Sequence, residues 1–92
     1  MTLEECIEEI LLTKFAVGDY FDSHSVIYEM QKNPEWHEVY MQNYPENCTV
    51  AQYHGLIAQR IGGSKNVLSA DLKIKSHTIY DDLSENHLWK KL

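Results

Sequence analysis

Asp22, Ser23 and His24 stand side by side in a chain of 92 residues, and an acid, a hydroxyl and an imidazole are the three groups of a nucleophilic hydrolase. Such catalysis needs them to converge within hydrogen-bond distance, whereas neighbours at a strand end or helix start point in different directions. Asp and Ser are also favoured helix N-caps, so the tripeptide reads as a cap rather than a triad. No G-x-S-x-G, phosphate-binding loop, dinucleotide fingerprint or H-E-x-x-H occurs. The expectation is a protein that is not an enzyme.

Metal chemistry is equally thin. The five histidines (His24, His37, His54, His77 and His87) are evenly spread, and no C-x-x-C or H-x-x-x-H pair occurs. His77 and His87 could meet across a hairpin and recruit Cys6 or Cys48, but the spacing predicts no metal site and no cofactor. Two cysteines are too few for a disulfide scaffold, which points to a reducing, cytoplasmic setting.

Charge carries more information. The net charge is −6; up to Cys48, ten acidic residues oppose only Lys14 and Lys32, and the remainder of the chain is mildly basic. Glu4, Glu5, Glu8 and Glu9 would form an acidic helix face, a solvated surface or a patch that meets a basic partner. The N-terminus lacks a basic segment leading into an apolar one, and no apolar run approaches the roughly 18 residues of a membrane span. Neither a secretory signal nor a membrane partner is expected.

The elements that must position these groups can be placed by cap signals and periodicity. Thr2 with Glu5 is a capping box opening a helix to about Phe15, with Leu3, Ile7, Ile10 and Leu11 at helical spacing. Tyr20 and Phe21 read as a short strand, followed by a helix over about His24–Lys32. Asn33 and Pro34 start another helical segment carrying Trp36, Val39, Tyr40 and Met41. After a loop, Thr49 with Gln52 caps a helix that ends at Gly62 and Gly63, glycine being tolerant of the left-handed C-cap conformation. Its Ala51, Gly55 and Ala58 make a small-residue stripe that lets another backbone approach.

Beyond Gly63 the period changes to two. Leu72, Ile74 and Ser76 alternate with Lys73, Lys75 and His77, so a strand runs to about Tyr80. Asp81–Asn86 supplies turn chemistry, and His87–Leu92 closes a hairpin pairing with Lys73–Tyr80. At 92 residues, with 43% hydrophobic and 24% charged residues, residues 1–92 form a single domain. The order predicts an α+β, winged-helix-like fold: a helical core with a short strand and a C-terminal β-hairpin.

Gly18–Ile27, Tyr53–Ala58 and Ser84–Lys91 resemble the three signature segments of a group of small uncharacterised winged-helix-like proteins from bacteria and their phages or mobile elements. The resemblance covers about residues 18–92. Ala58 stands where that group often has a second glycine and Asn86 where it often has a cysteine. It implies the fold more than an activity.

Two functional readings follow, with a third behind them. The first is a non-enzymatic inhibitor from a phage or mobile element that binds a host nucleic-acid-handling complex, as anti-CRISPR proteins do, through the acidic face. The alternative is a winged-helix DNA-binding transcriptional regulator. It would read duplex DNA with Gln52, Gln59 and Arg60 on the helix, while Lys65, Lys73 and Lys75 meet phosphates. That set is small for a regulator making about 6 to 10 phosphate contacts. Leu56 and the exposed parts of Trp36 or Tyr40 suit a protein partner equally well, and a homodimer through the Tyr- and Trp-rich middle segment is the third reading.

Overall fold

A computed structural model describes all 92 residues. Four helices precede a hairpin: α1 (Leu3–Lys14), α2 (Ser23–Met30), α3 (Pro34–Gln42) and α4 (Val50–Gly62). Strand β1 (Tyr20–Asp22) lies between α1 and α2, and β2 (Val67–His77) and β3 (Leu83–Lys91) close the chain. The fold is α+β with a three-stranded antiparallel sheet ordered β1-β3-β2. Pairing of the short early strand with the hairpin is what a winged-helix-like arrangement requires. No helix is long and apolar enough to cross a membrane.

Both capping boxes form as their spacing predicts. Thr2 accepts from Glu5 N–H while Glu5 accepts from Thr2 N–H, and Thr49 and Gln52 repeat the exchange at α4. Asn33 caps α3 ahead of Pro34. Seventeen apolar residues form one core, with Leu3, Cys6, Ile7, Ile10 and Leu11 of α1 against Val26, Ile27 and Met30 of α2 and Tyr53, Ile57 and Ile61 of α4. Phe21, Val67 and Trp89 bring the sheet onto it. Trp36 and Tyr40 are also buried there, so the aromatic anchors expected on the surface belong to the core, and the segment expected to dimerise keeps only Tyr28 and Met41 as large exposed side chains.

The hairpin differs from the expected register. Leu83 to Asn86, expected as turn, pairs with Ile74–His77, and His87 pairs with Lys73, while Trp89 to Lys91 pairs with Val67–Ser69, a stretch with no strand signal. A bulge between Ser69 and Lys73 separates these two ladders, with Asp71 at φ 55°. Polar Ser84, Glu85 and Asn86 hide a strand whose pairing comes from tertiary contacts rather than propensity. The register of the outer ladder keeps His77 away from His87: His77 faces Leu83 and His87 faces Lys73. Gly63 departs from expectation too. It caps α4 at φ −81°, a right-handed conformation. The glycine requirement there is steric and belongs to Gly62, as Trp89 shows below.

Candidate functional site

A groove of about 690 Å³ opens between α4, the start of α2 and the outer part of the hairpin. Val50, Ala51, His54, Gly55 and Ala58 form its helical wall; Lys73, Thr78, Tyr80, Asp82, Glu85 and His87 form the hairpin wall; Ser23, His24 and Ile27 close one end. The small-residue stripe of α4 thus meets open space rather than a packed backbone. A β-carbon placed on Gly55 would find no atom within 4 Å.

The closed end is held by a polar network. Asp22 is the N-cap of α2, accepting from Ser25 N–H at 2.9 Å. Its second oxygen accepts from Ser76 Oγ on β2 at 2.6 Å. Hydrogen bonds to Ser25 and Ser76 hold the Asp22 carboxyl below its usual range against the opposing effect of burial, so it is ionised and can only accept. Ser76 has therefore spent its proton and must accept from its other two neighbours, His24 Nδ1 at 2.8 Å and Asn86 Nδ2 at 3.1 Å. His24 carries its proton on Nδ1. Burial lowers its basicity, with the Asp22 carboxylate opposing, so the ring is neutral at pH 7 and Nε2 is a bare acceptor.

Asp22 and His24 thus do converge on a serine, though on Ser76 rather than Ser23. Ser23 turns the other way and accepts from Trp89 Nε1 at 2.9 Å. Residues two apart share a side here, and the partner from β2 lies 54 positions away from Asp22. Ser76 is saturated as acceptor and donor, so it has no free lone pair directed at a substrate.

His54 sits on the groove wall, 8% exposed, with Nε2 2.8 Å from Tyr40 Oη. Burial, aided by His24, pushes its pKa down to about 4. Burial also raises the Tyr40 hydroxyl, which keeps its proton, and His54 Nε2 is its hydrogen-bond acceptor. His54 is accordingly protonated at Nδ1. Although His24, His54 and His87 share this groove, no cluster of three or more His, Cys, Asp or Glu is arranged to hold a metal. Cys6 lies in the core, where burial and nearby Glu9 and Glu35 push its thiol up to about 11, and Cys48 is half-buried.

The acidic face is partly engaged within the molecule. Glu5 serves the capping box, Glu8 accepts from Asn66 Nδ2, and Glu4 pairs with Arg60 Nη1 at 2.8 Å; Glu9 is exposed. The second set fares similarly: Gln52 caps α4 and Arg60 is the partner of Glu4. Gln59, Lys65, Lys73 and Lys75 are exposed, and Lys75 lies opposite Glu85 in the ladder. Glu4 and Arg60 therefore join the two expected surfaces into one. Of both sets, only Lys73 lines the groove. Sequence reasoning missed Ser76 and Asn86 as partners of Asp22 and His24 because their signal is long-range, whereas the stripe Ala51, Gly55, Ala58 marked the groove wall. No protein family, curated protein or solved structure matches the chain.

Proposed function

We propose that this is a non-enzymatic binding protein whose working surface is the groove between α4 and the hairpin, and that its partner is a protein. The observation that carries this reading is the charge of the groove: Lys73 is its one cation, set against Asp82 and Glu85. A duplex would bring phosphates to that place, and phosphate binding requires clustered cations. An inhibitor of a host nucleic-acid-handling complex, of the anti-CRISPR kind, is the setting that small size and a net charge of −6 support. DNA recognition by α4 is the second reading, favoured by exposed Gln59, Lys65, Lys73 and Lys75.

Affinity capture from a bacterial lysate, run with the native protein and with Gly55→Leu, tests the choice. Gly55 has room for a side chain, so the leucine fills the groove without disturbing the core. A protein held by the native chain and released by the variant is expected. Tight duplex binding that weakens with salt and is abolished by Lys73→Glu with Lys75→Glu would replace this reading with the regulator.

A further inference from the structure

The groove has a hydrogen-bonding code as well as a charge. His24 and His54 are 9% and 8% exposed, and each uses one ring nitrogen inside the protein. Their other nitrogens have no protein partner. No buried side-chain nitrogen or oxygen is left unsatisfied, so both of these atoms reach open space. His54 lines the groove and not the shallower hollow beyond His24, so its Nδ1 is placed to open toward the groove. His24 also borders a shallower hollow, which contains Ser76. The two nitrogens of an imidazole point away from each other, so with Nδ1 committed to Ser76 in that hollow, Nε2 is left toward the groove.

The protonation states derived above make this pair complementary: His54 Nδ1–H donates and His24 Nε2 accepts. A ligand that satisfies both must offer an acceptor and a donor together, as the backbone C=O and N–H of one residue do on the same edge of an extended chain. The wall beside them, Ala51, Gly55 and Ala58, has little side chain to hold a backbone away. Asp82 and Glu85 outweigh Lys73 on the opposite wall.

Resting on the groove reading above, we propose that the groove receives an extended cationic peptide segment of the partner. The backbone C=O of one residue accepts from His54 and the same residue's N–H donates to His24, and a basic side chain lies against Asp82 and Glu85. Backbone recognition of this kind gives affinity, and the charge gives selectivity.

The probe is a library of short random peptides displayed on phage, selected on the native protein and counter-screened on Gly55→Leu. Selected peptides rich in Lys or Arg, and at least about tenfold weaker on Gly55→Leu, are expected. N-methylation of a single backbone amide, scanned along a selected peptide, should cost about tenfold at one position. His24→Asn, whose side-chain amide can still donate to Ser76, should cost a similar factor with an unchanged circular dichroism spectrum. Peptides that bind Gly55→Leu and native protein alike would overturn both this inference and the groove as working surface. Peptides blocked by Gly55→Leu but indifferent to N-methylation and to His24→Asn, or acidic in composition, would overturn this inference alone. Duplex oligonucleotides displaced by the same leucine would overturn the choice of a peptide.

Discussion

Trp89 and Gly62 fit together so closely that a β-carbon on Gly62 would stand 3.0 Å from the tip of the indole ring. The ring cannot back away freely, because its Nε1–H is bonded to Ser23 at the start of α2. Gly55, in the same helix, faces nothing. Alanine should therefore act with opposite signs at the two sites. Gly55→Ala stabilises by about 0.5 to 1 kcal/mol through helix propensity. Gly62→Ala gains the same propensity but overpacks the ring, and it destabilises by about 1 kcal/mol net. Urea unfolding of the two variants measures both.

Ser23 is a partner of the sheet and not the cap of α2. Ser23→Ala leaves the Trp89 indole N–H buried without an acceptor and should cost about 1 to 3 kcal/mol. Helix content stays unchanged, since Asp22 supplies the cap. A double-mutant cycle with Trp89→Phe should return a coupling of that order. A coupling near zero would show the bond to be immaterial.

Stability should fall as the solution is acidified from neutral pH. His54 is held neutral, with a pKa of about 4 against an ordinary 6.5. Between those values the unfolded chain binds a proton that the folded one refuses, so stability rises with pH across that window and levels out on either side. The full effect is about 3 kcal/mol between pH 7 and pH 4, and His24, shifted in the same direction, adds to it. Denaturant midpoints at the two pH values measure the loss. His54→Gln, which keeps an acceptor for Tyr40, should reduce the dependence.

Glu4 and Arg60 form an ion pair in which both side chains are more than half exposed. A double-mutant cycle with Glu4→Gln and Arg60→Gln should give about 0.2 to 1 kcal/mol at low salt and less at high salt. Reversing Arg60 also frees Glu4, so an effect on binding at this site mixes two surfaces. Lys73 and Lys75, which have no ion-pair partner, are the cleaner pair for probing nucleic acid.

What the sequence discloses is local. Thr2 with Glu5, Asn33 with Pro34 and Thr49 with Gln52 each announce a helix start within four residues, and each forms. The alternation after Leu72 announces a strand. Long-range features leave no such trace: Val67–Ser69 becomes a strand only because Trp89 to Lys91 lies beside it, and Asn86 enters the sheet with its side chain bonded to Ile74 and Ser76. The same holds for the site. Asp22 and His24 could be picked out as chemically able, but their common partner Ser76 is supplied by the fold. Trp36 and Tyr40 show the converse, since their size suits an interface while helix position sends them inward.

The bulge at Asp71 divides the hairpin into a root and an arm. The root, Val67–Ser69 with Trp89 to Lys91, is tied to the hydrophobic interior; the arm, Lys73–His77 with Leu83 to His87, carries the outer wall of the groove. Three residues on β2 lie across from one on β3 at the break, and an even surplus keeps inward and outward side chains in phase on either side. The arm is thereby a replaceable cassette. Its length and its charges can drift under selection, or be grafted by design, while the root holds the scaffold unchanged, so a new binding preference can arise without a new fold.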